Sequence, residues 1–565
     1  MSRPLRSLLP SLSAYLFAGV LLPLAATTLT AAAIDYTEQA FQFPASVENL
    51  VVADTNGDGL NDLIAVVDDS IRIYFQSETG FDFEAGFDSV QLPGTAIGWD
   101  LSTSYGAPGQ AALIALIDGR EVLAWSIDKH SITPPVSIIS GLGGYLAQGI
   151  NRLHFSRDVN ADGLADLIVP GAGELQLYLR TSAGDYSQPL HIKSDVQLRA
   201  NLETRELERR VGQAIAIPAL QLRDINADGA DDIVSRTEAR LDVFLANPGA
   251  ATYYASTPSF TLDITAIEER LGEFDVDNLD FSNLTGVLAL THEEILEDMD
   301  GDNIADLLLR EGGKVSLFGG SSLGIDMSQP RQVLRSSGNV LSTFLYDENE
   351  DGLKDLWLWR VESISVSDLF VWLALSGSVA IEAFIYPNEG ERFARRPSRQ
   401  ITVELKFPSA IRMATSLREI RNDNLDARNR PATPVRIADL DADPSARDLL
   451  VLINNEVSLF LNSIEPEPAQ RPFLGALGYS RQRNNYEIDV REVIDSLGAE
   501  SNPLMTRVEN RTPDRRIPLG VSVNIGDIIP ARLNRDARDD LLVFTDLNHS
   551  HIEGILLLSN DANAR

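Results

Sequence analysis

The sequence predicts an all-β fold, a seven- or eight-bladed β-propeller of four-stranded antiparallel blades with loop insertions, preceded by an export segment. Three observations carry this expectation. A nine-residue aspartate-rich pattern recurs along the chain, each copy runs into an aliphatic stretch and then an alternating one, and the copies are spaced as blades with insertions would be.

The N-terminus comes first. Arg3 and Arg6 precede a mostly apolar stretch from Leu8 to Leu24 and small residues ending at Ala31, Ala32 and Ala33. This is the order of a cleavable signal peptide, so residues 1–33 are expected to be removed and 34–565 to form a single domain. Pro10 and Pro23 bracket an apolar run of about a dozen residues, short of the ~20 that a spanning helix needs. No later segment is long and apolar enough to span a bilayer, so the mature chain is expected to be secreted, periplasmic or held at the envelope. Its 565 residues include no cysteine. Disulfides therefore cannot brace the fold in an oxidising compartment, and a different cross-link is expected.

The chain carries 82 acidic and 47 basic residues, a net charge of −35. Such a field repels phosphate backbones and argues against a nucleic-acid partner. The acid is uneven: residues 391–565 hold 24 basic and 26 acidic residues, whereas residues 1–390 hold 23 and 56.

Much of the acidic excess falls in the repeated pattern. Five copies are intact: Asp54, Asn56, Asp58, Gly59, Asp62; Asp158, Asn160, Asp162, Gly163, Asp166; Asp224, Asn226, Asp228, Gly229, Asp232; Asp298, Asp300, Asp302, Asn303, Asp306; and Asp347, Asn349, Asp351, Gly352, Asp355. Oxygen ligands at alternate positions suit Ca²⁺, a hard cation that takes 6 to 8 oxygens. Positions one, three and five would offer side-chain oxygens and position nine a further carboxylate. Position seven (Leu60, Leu164, Ala230, Ile304, Leu353) would offer a backbone carbonyl. Position six must turn with positive φ, which Gly allows and Asn tolerates. A polar turn between strands also uses Asx and Gly, but it has no need of three or four carboxylates that repel one another unless a cation sits among them. About five structural Ca²⁺ sites are therefore expected. The loops are not EF-hands: the twelfth positions, Ala65, Val169, Ser235, Leu309 and Leu358, include no Glu, and short strand-like aliphatic runs follow.

After most loops comes an alternating segment such as Ile71–Phe75, Leu175–Leu179, Leu241–Leu245, Val315–Phe318 and Val457–Leu461, the signature of half-buried strands. Three degenerate copies complete the set. One near Trp99 and Asp100 lacks the acidic ligands. A sixth loop, Asp439, Asp441 and Asp443, has Pro444 at the turn and Asp448 one place late. The last has Asn534, Asp536 and Asp540 with Arg532 at the first ligand position. Blade anchors thus fall near 54, 100, 158, 224, 298, 347, 439 and 532, with insertions expected at 195–215, 263–292, 361–378, 409–433 and 463–526. The final unit stops after its third strand, and Tyr36–Phe43 is expected to supply the fourth, closing the ring and removing two edges.

The loops, the aliphatic run and the alternating strand resemble FG-GAP repeats, also called VCBS repeats, of integrin α-chain-like propellers and many bacterial exported proteins. The resemblance spans nearly all of residues 35–565. It implies structural Ca²⁺ at the loops and a propeller face presented to a partner; a Gly-Ala-Pro triplet occurs once, at Gly106–Pro108, without the preceding Phe-Gly.

Two functions fit such a scaffold: a non-enzymatic binding or adhesion module holding a protein or glycan ligand, or a carbohydrate-active enzyme (lyase or hydrolase) or sugar-binding lectin. Fold alone does not choose. Catalytic signals are thin. No two histidines have zinc-ligand spacing, and His549 and His551 read as a polar turn. The Gly320–Gly324 match to Gly-x-Ser-x-Gly lacks a following helix and reads as a hairpin turn. Trp357 and Trp359 are expected to pack between blades, Leu369–Leu375 to form a buried strand or, failing that, an exposed partner patch, and the arginines at 392, 395, 396 and 399 to be solubilising charge.

Overall fold

A computed structural model describes residues 35–560 apart from internal stretches, the longest being 203–210, 416–432, 465–473 and 491–502. The expected signal segment 1–33, Gly106–Pro108, Pro444, His549 and most of the 409–433 insertion lie outside the described residues. The fold is a β-propeller: the described residues form eight successive sheets on one plan of four antiparallel strands, the last completed by the N-terminal strand, with short extra strands added to some of them. In the first sheet the four strands are Val47–Ala53, Asp62–Val67, Ser70–Tyr74 and Asp88–Gln91.

The second strand of each sheet explains the continuous aliphatic runs. Asp62–Val67, Ala112–Ile117 and Asp166–Gly171 are buried at every position, because each is covered on both faces. Alternate side chains go to opposite neighbours: Leu63, Ala65 and Val67 pack toward the last sheet with Leu542 and Leu556. Ile64 and Val66 pack toward the second sheet with Trp99 and Leu113. A two-residue period in a doubly buried strand thus joins three sheets at once.

The ring closes as expected. Asp35–Pro44 pairs antiparallel with His551–Asn560, from Asp35 opposite Asn560 to Pro44 opposite His551, and so becomes the fourth strand of the last sheet. Phe41 and Phe43 fill the seam between the last and first sheets.

Among the described residues, a shared apolar cluster joins every adjacent pair of sheets except the sixth and seventh. There the insertion between Glu456–Ile464 and Arg515–Pro518 is wedged in. Leu474, Leu477, Tyr479 and Tyr486 cover the sixth sheet, and Leu504, Met505 and Val508 cover the seventh. Asn485–Asp489 of this insertion also adds a fifth, parallel strand to the sixth sheet. Trp357 and Trp359 are core residues sharing one face, but an inserted segment covers them where a neighbouring sheet was expected.

One expected element is corrected. Leu369–Leu375 is no buried strand: it falls largely in helix α2 (Val366–Ala374), which buries none of its side chains. Ser365 caps it, accepting from Asp368 N while the Asp368 carboxylate accepts from Ser365 N, a reciprocal capping box that starts a helix wherever a short apolar run is free of a sheet. Helix α1, Ile264–Leu271, and a 3-10 helix, Leu284–Leu290, occupy the 263–292 insertion. No helix among the described residues is long and apolar enough to cross a membrane.

Candidate metal centres

Each Asp-rich loop joins the first strand of a sheet to the second. Since the strands alternate in direction and every sheet is entered the same way, all these loops lie at one end of the ring. Turns joining second to third strands lie at the other end.

The five intact loops share most of one hydrogen-bond pattern; the bond from the position-four N–H is made at Asp54, Asp298 and Asp347, whereas Asp158 accepts from Asp162 N and Asp224 only from Gly229 N. The position-one carboxylate caps the turn: Asp54 accepts from Gly57 N (2.8 Å) and Gly59 N (2.9 Å), and Asp347 from Glu350 N (2.7 Å) and Gly352 N (3.0 Å). At position three, Asn56 Oδ1 accepts from Asp58 N (3.0 Å), and at position five, Asp58 Oδ1 accepts from Leu60 N (2.8 Å). The same bonds recur at Asn160 and Asp162, Asn226 and Asp228, Asp300 and Asp302, and Asn349 and Asp351. Position six has positive φ throughout, from +67° at Asn303 to +92° at Gly352. Position four does too, which sequence reasoning missed because Ala161, Ala227 and Glu350 stand there as well as Gly57 and Gly301. Two left-handed residues in three curl the loop inward, and the capping bonds offset their cost.

The position-nine aspartate is the most buried of the set. Asp62, Asp166, Asp232, Asp306 and Asp355 are all at most 2% exposed. Each accepts the position-two N–H on one oxygen and, on the other, an N–H at the end of the third strand: Val159 N (2.9 Å) and Arg180 N (2.7 Å) at Asp166, Ile225 N (2.8 Å) and Ala246 N (2.7 Å) at Asp232. This carboxylate staples the loop to its sheet. Burial raises its pKa in every copy, with the other loop carboxylates adding to the rise; Asp166 is pushed up to about 7.

Two observations test whether the residues fit a cation. Asp224 Oδ1 is buried with no hydrogen-bond partner, although its sister oxygen caps Gly229 N (2.9 Å). In the fourth loop, where Asp replaces Asn at position three, oxygens of Asp298, Asp300 and Asp306 lie within 4.8 Å of one another. Both fit an oxygen-coordinated ion. In the fourth loop a guanidinium also approaches: Arg331 donates to Asp300 (2.6 Å) and lies 3.7 Å from Asp306.

Guanidiniums go further in the degenerate loops. Asp439 Oδ2 accepts from both Arg447 (3.1 Å) and Arg532 (2.8 Å), so the chain supplies its own cation where the first ligand of the last loop is missing. The staples nevertheless persist, at Asp448 with Leu440 N (2.7 Å) and at Asp540 with Leu533 N (2.8 Å). The fifth loop is gripped from outside: Arg481, from the wedged insertion, donates to the carbonyls of Glu348 (2.5 Å) and Asp347 (3.3 Å). An arginine standing at a ligand position was visible in sequence; Arg331 and Arg481 act across the fold and carried no local signal.

The Gly320–Gly324 run is a turn, with no helix after it. Ser321 Oγ donates to Gly324 O (2.7 Å), and Gly320 N donates to Asp306 Oδ1 (2.7 Å), so the segment pins the fourth loop. His551 lies on the strand that receives the N-terminal segment and pairs with Glu553 (2.9 Å).

Neither a protein-family model nor a curated protein sequence matches the chain. Solved structures similar to it include an Agrocybe aegerita lectin that recognises non-reducing terminal N-acetylglucosamine, at 14% identity and a TM-score of 0.27 over 64% of this chain and 81% of that one. The WD40 domain of SCAP from fission yeast is similar at 10% identity and a TM-score of 0.26, covering 93% of this chain and 98% of that one. The WD40 domain of Toxoplasma gondii coronin is similar at 7% identity and a TM-score of 0.21, covering 94% and 88%. The propeller architecture follows from the chain's own sheet order and closure.

Proposed function

We propose that this chain is an exported, calcium-loaded propeller of the FG-GAP/VCBS type that acts as a non-enzymatic binding module of the envelope, holding a protein or glycan ligand on a propeller face. The carrying observation is the fivefold recurrence of one loop geometry, together with the buried, unpartnered Oδ1 of Asp224 in the third loop. The residues that would hold Ca²⁺ are those at positions one, three, five, seven and nine of each intact loop. The ion would supply positive charge to carboxylates that otherwise repel, and so stiffen the join between first and second strands.

Export rests on the basic, apolar and small-residue order of residues 1–33. A binding role is supported by the use of the chain's candidate catalytic groups for structure: the Gly-x-Ser-x-Gly run pins a loop, and the tryptophan pair is core. The deciding experiment is elemental analysis of protein dialysed against trace calcium. Five equivalents are expected, falling to four in Asp162→Ala; protein without bound calcium refutes the reading.

A further inference from the structure

The end of the ring opposite the Asp-rich loops carries a surface that neither the metal loops nor the core explains. Helix α2, joining the second and third strands of the sixth sheet, stands there with Leu369, Phe370, Leu373 and Leu375 between 43% and 67% exposed. Residues 279–290, which precede the fifth sheet, lie against its base. Leu284 N donates to Ile364 O (2.7 Å), Val366 N to Phe281 O (2.9 Å), and Thr285 Oγ1 to Glu362 O (2.9 Å). Asn339, 9% exposed, donates to Asn283 (2.9 Å) and Thr285 (2.8 Å) and fixes the two pieces to the sheet below. Phe281 is 65% exposed beside the helix, and a groove of about 400 Å³ opens next to it, with Phe274, Val287 and Leu290 among its walls. So much exposed apolar surface in one place is unusual for a surface that meets only water.

Charge selects the occupant. Residues 271–291 and 361–380 contain six acidic residues and no lysine or arginine. Glu273, Asp275 and Asp280 line the groove, while Glu362 and Asp368 flank the start of α2. Lys406, on the strand that ends at Phe407 beneath Trp372, is paired to Glu487 (2.7 Å). Helices that lie in a bilayer surface carry Lys and Arg on their polar face, which α2 lacks, and an anionic bilayer would repel this rim. A second copy would bring the same acidic rim and a further −35 of charge.

We propose that α2, residues 279–290 and the groove beside them form a docking face for a polypeptide that presents an apolar ridge flanked by lysine or arginine, as a basic amphipathic helix does. The apolar ridge fills the groove and covers Phe281, Phe370 and Leu373; the basic flanks meet the acidic rim. This names a partner class for the binding module proposed above, and rests on that reading.

The test uses the full mature chain and a Phe370→Ser/Leu373→Ser variant, which folds normally because both side chains are exposed; an unchanged melting midpoint verifies this. Three labelled synthetic peptides serve as probes in fluorescence anisotropy: an amphipathic Leu/Lys helix, its Leu/Glu counterpart, and a Lys-rich peptide without leucine. The Leu/Lys peptide is expected to bind the parent chain at least about tenfold more tightly than the variant and than either other peptide binds the parent. Equal binding to parent and variant overturns the proposal, as it reduces the effect to general attraction by an acidic protein. So does equal binding of the Leu/Glu peptide, co-sedimentation with neutral or anionic vesicles that the variant loses, or a dimer by light scattering that the variant loses. Any of these leaves the calcium-held scaffold standing, since that reading fails separately, on metal content.

Discussion

Closure of the ring by the N-terminal strand predicts a specific sensitivity at Phe43. Its side chain is 1% exposed and lies within 5.0 Å of the Phe41 ring, 5.3 Å of Tyr74 and 6.0 Å of Phe83 by ring centroids, between the last sheet and the first. Phe43→Ala removes a buried ring at a seam backed by Leu63, Ala65 and Leu556, where collapse is restricted. The cost is about 3–5 kcal/mol, a large share of the ~5–15 kcal/mol that holds a typical folded state. At an unfolding entropy of about 2.1 cal/mol/K per residue over residues 35–560, a loss of ~4 kcal/mol lowers the melting midpoint by about 3–4 °C if the ring unfolds as one unit. Gln42→Ala is the control: that residue points outward on the same strand, and its replacement is expected to cost under about 0.5 kcal/mol. Differential scanning calorimetry distinguishes the two. Should Phe43→Ala melt within 1 °C of Gln42→Ala, the N-terminal strand does not close the ring in solution and the argument from the seam is wrong.

Four further outcomes are expected. Chelation with EGTA lowers the melting midpoint, because each loop loses the charge that offsets its carboxylates; an unchanged melt after exhaustive chelation counts against calcium. In the calcium-free protein the buried loop carboxylates contribute a pH dependence whose sign follows from Asp166. Burial pushes the Asp166 carboxyl up from its ordinary 3.8 to about 7, so the folded chain holds this proton more tightly. Stability then rises as pH falls from above 7 toward 4 and is lost as pH rises through 7, while calcium affinity falls on acidification; calcium-free protein more stable at pH 8 than at pH 5 contradicts this. Trp357→Ala, at a fully buried ring stacked on Phe344 (5.2 Å) and edge-on to Tyr479 (5.4 Å), costs about 3–5 kcal/mol and speeds limited proteolysis within 465–514, since Tyr479 belongs to the wedged insertion. Arg532→Asp restores an acid at the first position of the last loop and frees Asp439 of one guanidinium, so bound calcium rises by about one equivalent in elemental analysis; an unchanged metal content shows that Arg532 is not what excludes the ion.

The sequence by itself determined what depends on short spacing. A nine-residue ligand pattern is local, so the loops, their positive-φ sixth positions and the strands after them were legible, as was the strand missing from the final unit. Even so, the left-handed turn at position four was hidden, because Ala161, Ala227 and Glu350 give no sign of a conformation that loop hydrogen bonds impose. Only the tertiary structure decided which remote segment covers each face. The run around Leu369–Leu375 has the composition of a buried strand, but no sheet edge is offered to it and its capping box makes it a helix. Trp357 and Trp359 were readable as core, but their covering segment lies more than a hundred residues downstream and wedges apart two sheets that a simple repeat would pack together. Arg331, Arg481 and Arg532 reach their carboxylates across strands or between sheets. Periodicity records which side of a strand is apolar; it carries no information on what distant chain will lie against that side, because that is set by closing the whole ring.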